Sequence, residues 1–143
     1  MRDNIGMTLE GEQTSAGRPV LIVEDSENSA CTLEIALLGI PGISVMLASS
    51  ALEALRILHG GGPGIQAIVT DLNMPRMDGF ELIRRIREDR RLCATPIVVI
   101  SADTDPATPE RIARLGVNAF FAKPYSPAQV RRKLEQILNG STH

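Results

Sequence analysis

Five short apolar runs recur along this chain: Val20–Val23, Ile43–Leu47, Ile65–Val69, Ile97–Ile100 and Ala119–Ala122. A strand with one face in water alternates apolar and polar residues. These runs are nearly all apolar, so the sheet they form must be covered on both faces. Longer stretches with helical periodicity separate them, the pattern of repeated βα units around a parallel sheet. Because each strand-helix-strand crossover must be right-handed, the order gives a doubly wound α/β sheet of order 2-1-3-4-5 with five helices. Every strand C-terminus then opens on one edge.

The helices announce their own starts. Ser50 with Glu53, Asp78 with Glu81 and Ser126 with Gln129 have capping-box spacing or a close variant, in which the first side chain accepts an orphan N–H and the second reaches back. Thr108-Pro109 and Ser126-Pro127 place proline at a helix start, where its missing N–H costs nothing. Asp105-Pro106 offers the fourth helix an earlier start. Ala30, Leu33 and Leu37 form an apolar stripe on the first helix, and Val130, Leu134, Ile137 and Leu138 on the last.

A chain of 143 residues suits one domain with a real core. Residues 1–17 are polar and aperiodic and read as a flexible arm, 18–139 as the domain, and 140–143 as a tail. The formal net charge of −2 gives no footprint for nucleic acid or an anionic membrane. Neither a transmembrane run nor a signal peptide is present in the sequence, which points to the cytoplasm. Cys31 and Cys93 have no metal-binding or redox spacing and read as small, soft side chains.

The loop edge is the chemical part. Thr70-Asp71-Leu72-Asn73-Met74-Pro75-Arg76-Met77-Asp78-Gly79 puts a carboxylate after the third apolar run and then a turn into an amphipathic helix. Glu24-Asp25 follows the first run, Ser101 the fourth and Lys123-Pro124 the fifth. Three converging carboxylates repel one another and call for a cation. Oxygen-only ligands suit Mg²⁺, which keeps several waters and completes its shell with phosphate oxygens. Asp71 can then act as a nucleophile that forms an acyl phosphate, with Lys123 adding a positive charge and Ser101 a hydroxyl donor.

From Pro19 to about Leu138 the chain resembles the response-regulator receiver domains of two-component signalling, chemotaxis regulators among them, and their flavodoxin-like fold. The matching pieces are Leu21-Ile22-Val23-Glu24-Asp25, the Asp71–Gly79 turn, Ser101-Ala102 and Lys123-Pro124-Tyr125. The resemblance implies that Asp71 is the phosphoacceptor, Asp25 a direct magnesium ligand, Glu24 a ligand acting largely through water, and the backbone carbonyl of Asn73 a further ligand. It implies that Lys123 contacts the phosphoryl group across a cis Lys123–Pro124 bond, and that Ser101 and Phe120 form a switch pair. Output would leave through the fourth helix, fifth strand and fifth helix toward a protein partner or a second copy.

A histidine kinase or histidine phosphotransfer protein would be the donor. No enzyme activity is implied beyond self-phosphorylation from phosphodonors and autodephosphorylation. Glu24, Ser101 and Phe120 stand where many receivers have Asp, Thr and Tyr, so looser coupling is expected. The alternative is a receiver fragment of a larger DNA-binding regulator or hybrid kinase.

Competing readings are weaker. A haloacid-dehalogenase-type phosphatase also uses a nucleophilic Asp with Mg²⁺ but expects an acid two residues on, where this chain has Asn73. An FMN carrier would meet the repulsion of Glu24 and Asp25 at its phosphate loop. Phe120 can be read as core, His59 as a helix-end interaction with the dipole, and Met74 and Met77 as packing beneath the turn. The arginines of Arg84–Arg91 alternate with acids and read as a solvated helix face.

Overall fold

All five apolar runs become parallel strands in the computed structural model, which describes residues 17–60 and 64–140. The strands are β1 (Arg18–Val23), β2 (Ile43–Ala48), β3 (Ala67–Asp71), β4 (Ile97–Ser101) and β5 (Ala119–Ala122). The helices are α1 (Glu27–Leu37), α2 (Ala51–Leu58), α3 (Gly79–Glu88), α4 (Thr108–Arg114) and α5 (Pro127–Leu138). Sheet order is β2-β1-β3-β4-β5, as right-handed crossovers require. Apart from Gly17, the arm expected over 1–17 lies outside the described residues, as do 141–143 of the tail.

Successive strand residues feed opposite faces, and this alternation splits the core in two. Leu21, Val23, Ile68, Ile97 and Val99 pack with α2, α3 and α4. Val20, Ile22, Val69, Val98 and Ile100 pack with α1 and α5. Ala30, Leu33 and Leu37 are buried as their stripe requires; Val130 and Leu134 are buried, while Ile137 and Leu138 are partly buried against the same cluster.

The third strand runs two residues later than its apolar run predicts, at Ala67–Asp71 instead of Ile65–Val69. Pairing with β1 begins at Val20 and Ala67 and continues through Val23 and Thr70, and Asp71 still pairs with Ile100. Thr70 and Asp71 are polar yet buried. A strand boundary drawn where polarity begins therefore misses the ladder's buried polar end.

Helix starts fall where their caps predict, but only half of the reciprocal bonding forms in the first two boxes. Ser50, Asp78 and Ser126 accept the N–H of Glu53, Glu81 and Gln129. Glu53, however, accepts from Ser49, and Glu81 pairs with Arg84 and Arg85. The fourth helix uses the Thr108-Pro109 start, because Asp105 turns the chain ahead of it by accepting the Ala107 N–H. His59 caps the C-terminus of α2 and lies 3.1 Å from Asp89. Parallel topology puts this at the opposite end of the sheet from Asp71. Both cysteines are free and exposed.

Arg87 departs from the solvated face expected for its run. Its guanidinium donates to the carbonyls of Leu115 and Gly116, at the end of α4, and of Cys93 and Thr95, ahead of β4. A guanidinium offers five donors in a fixed fork and so collects carbonyls that a helix end leaves without partners. Arg87→Met should lower unfolding stability in urea by on the order of 2 kcal/mol, because several carbonyls lose a charged donor at once. Arg90→Met, at an exposed neighbour, should stay within about 0.5 kcal/mol of the parent.

Candidate functional site

Strand register brings the site together. Val23 pairs with Thr70, Asp71 with Ile100, and Ser101 with Ala122. One residue further on, Glu24 N–H donates to Ala48 and Lys123 N–H to Ser101. Glu24, Asp71, Ser101 and Lys123 thus emerge at neighbouring levels of one sheet edge. The Lys123–Pro124 peptide is cis.

The turn after Asp71 closes on its own carboxylate. Leu72 and Asn73 N–H donate to Asp71 Oδ1 at 2.6 and 3.1 Å. Gly79 N–H, opening α3, returns to the Leu72 carbonyl at 2.9 Å. A Cβ at Gly79 would overlap the Asp71 carbonyl oxygen and sit 2.7 Å from Leu72 Cα. Only glycine lets α3 start this close to the acid, so Asp78-Gly79 combines a cap with a close approach. Met74 and the half-buried Met77 pack beneath the turn.

Glu24, Asp25 and Asp71 can each place one carboxylate oxygen within 4.8 Å of the others. Glu24 and Asp71 are buried and Asp25 is exposed. Lys123 Nζ lies 2.8 Å from Asp71 Oδ2 and 3.2 Å from Glu24 Oε1. Glu24 Oε2 accepts the Ser26 N–H at 3.1 Å. Burial raises the Glu24 carboxyl above its ordinary value; Ser26 opposes that rise, the charge of Asp71 adds to it, and Lys123 opposes it. For Lys123, burial works downward, but the hydrogen bond and charge of Asp71, with those of Glu24, outweigh it and hold the ammonium above its ordinary value.

The sequence profile of the response regulator receiver domain matches residues 20–135. The chain belongs to the response-regulator receiver family. A receiver protein of Pseudomonas putida shares 32% identity and superposes with a TM-score of 0.76, over 85% of this chain and 98% of that one. Chemotaxis protein CheY of Pseudomonas aeruginosa is 30% identical over 82% of this chain and 94% of its own length. The phosphorylated cyanobacterial phytochrome response regulator RcpA is 26% identical with a TM-score of 0.72, over 88% of this chain and 91% of that one. Receivers are the signalling domains of two-component response regulators and interact with kinases or phosphotransfer proteins. Among the described residues no helix is long and apolar enough to cross a membrane.

On the other flank of the receiver edge, Ser101 is fully buried and tied to neighbours that its sequence position does not reveal. Its Oγ accepts the Asn73 side-chain amide at 3.3 Å and the Asp103 N–H at 3.0 Å. Asp103 in turn accepts the Asp105 N–H and the hydroxyl of the buried Thr108. This chain of bonds links the turn after Asp71 to the start of α4. The Ser101-x-Asp103 spacing is a hydroxyl-turn signal that could have revealed its first link. Phe120 stands apart, half-buried against the α2–α4 core, beside a cleft of about 110 Å³ lined by Pro109, Ile112 and Val117.

The donor set fits a hard divalent cation: oxygen ligands only, two of them buried, with one lysine as their common positive partner. Without metal, Glu24 has a higher pKa folded than unfolded. The folded state then holds its proton more tightly, and stability falls as pH rises from about 4.5 through the folded value. In chelator, Glu24→Gln should therefore gain on the order of 1 kcal/mol over the parent near neutral pH and little at about pH 4, measured by urea unfolding. An equal gain at both pH values would mean that the Glu24 charge is not the cause.

Proposed function

We propose that this receiver takes a phosphoryl group from a histidine kinase or histidine phosphotransfer protein onto Asp71, and that residues 18–139 form the working module, in the cytoplasm. The observation that carries this reading is the pairing of buried Asp71 Oδ2 with Lys123 Nζ beside the three-carboxylate cluster. Asp71 Oδ1 is occupied by two backbone N–H groups, so Oδ2 is the attacking oxygen. A P–O bond forms to Oδ2 as the donor's P–N bond breaks, and the electron pair returns to the imidazole nitrogen. Lys123 exchanges its contact with Oδ2 for an oxygen of the transferred group.

Glu24, Asp25, Asp71 and the Asn73 backbone carbonyl would hold Mg²⁺. When bound, the ion offsets the negative charge shared by the carboxylates and phosphoryl oxygens. Asn73 carries an amide where a dehalogenase-type phosphatase needs its general acid, and the receiver reading is favoured accordingly.

Incubation with acetyl phosphate and Mg²⁺ should add one phosphoryl group, visible by mass spectrometry. Chelator, Asp71→Asn and Asp25→Asn should each reduce the labelling by more than about tenfold. Undiminished labelling of Asp71→Asn would place the acceptor elsewhere.

The same reading makes Ser101 and Phe120 the switch. The two bonds that Ser101 accepts leave its O–H to donate to a phosphoryl oxygen; turning the hydroxyl toward that group pulls on Asn73 and on Asp103, and the second of these leads to α4. Phe120 then has the adjoining cleft and core to turn into, and the α4–β5–α5 face changes for a protein partner or a second copy. A phosphoryl group acts only by favouring one of two states. Beryllofluoride with Mg²⁺ should therefore alter hydrogen exchange from Ser101 through Lys123 and leave the outer face of α1 unchanged. Ser101→Ala should shrink that response; a response as large as the parent's would remove Ser101 from the switch.

A further inference from the structure

Between α3 and α4 lies an open groove of about 730 Å³ that the phosphoryl reading does not use. Arg76, Arg84, Arg85, Arg111 and Arg114 line it. Five arginines against Asp78 and Glu81 give its lining a charge of +3, and Glu88 and Glu110, paired with Arg84 and Arg114, lower the patch to +1. The groove thus holds a net positive charge on a chain whose own net charge is negative.

The arginines are not equivalent. Arg84 and Arg85 share Glu81, Arg84 also meets Glu88, and Arg114 meets Glu110. Among the described residues, neither Arg76 nor Arg111 has a carboxylate partner. Both are exposed. The Arg111 guanidinium lies over the Phe80 ring, 3.8 Å from its centre. Stacking fixes its plane and leaves its edge N–H groups free for bidentate contact with a carboxylate. Half-buried Met77, Phe80 and Leu115 also line the groove, giving it an apolar surface between the charges.

We propose that this groove docks an acidic segment of a partner protein, with carboxylates on Arg76 and Arg111 and an apolar side chain against Phe80 and Leu115. A groove of this volume takes several side chains, not a lone ion. A short acidic peptide matches the extent of this patch, with carboxylates for the two arginines that have none and an apolar side chain for the strip between them. The inference stands apart from the chemistry at Asp71.

Titration of the isotope-labelled full chain with a short peptide of alternating Glu and Leu tests this by backbone amide shifts. Met77, Phe80, Arg111 and Leu115 should move, and the same peptide with Gln for Glu should leave them unmoved. Arg76→Glu/Arg111→Glu should weaken binding by roughly tenfold or more, with Arg111→Gln falling between. Arg90→Glu/Arg132→Glu makes the same charge change outside the groove and should bind like the parent. Shifts centred elsewhere, or equal weakening by both double variants, would overturn the proposal. So would inorganic tripolyphosphate moving these amides while the peptide does not, since that marks a phosphate site.

Discussion

Lys123 stands between two buried carboxylates, and the loop edge of the sheet depends on that placement. Like charges 4.8 Å apart repel by roughly 3 kcal/mol at an effective dielectric near 20. Asp71 and Glu24 arrive from different strands, so without a shared cation the register that joins β1 and β3 would bring repulsion to its own end. The ammonium offsets this from β5, three strands away from β1 in the sheet order. The same lysine is thereby tied to the acids most suited to holding a divalent ion, and a metal entering the cluster would release part of its work to the phosphoryl chemistry proposed for Asp71.

Much of this arrangement was legible because it rests on periodicity and on local chemistry. Runs of apolar residues located the five strands, the crossover rule ordered them, and cap residues fixed helix starts. The resemblance picked out Glu24, Asp25, Asp71 and Lys123, and the structure brings those four side chains together. What stayed hidden depends on partners distant in sequence. Arg87 reads as one more surface arginine until α4 ends beside it. The Asn73 side chain looks like a turn residue until β4 sets Ser101 within 3.3 Å. The end of β3 was misplaced because hydrophobicity reports burial, whereas the ladder there is continued by buried polar residues.

Ser101 gives the receiver reading its physical cost. Its oxygen accepts two hydrogen bonds in a fully buried position while its O–H stays free to donate, so the cost lies in moving the oxygen and not in the donation itself. Each bond given up has to be replaced, by the phosphoryl group or by a rearranged loop. The structure is held here by specific contacts between Asn73, Ser101 and Asp103, so under the proposed switch activation would be a competition between two bonded states, not the ordering of a loose loop.

Firmness is unevenly distributed across the sheet. β3 and β4 are buried along their whole length, whereas β5 is half-buried and ends exposed. Beside it, α4 has seven residues, no side-chain cap and two buried side chains, Thr108 and Ile112. Segments with few buried contacts open at a small fraction of the global unfolding free energy. Local opening is thus cheaper along α4 and the two edge strands, β2 and β5, than along β3 and β4 between them. The carboxylate distances can persist through excursions that reshape the neighbouring surface, so one small sheet combines a fixed carboxylate geometry with a pliable flank.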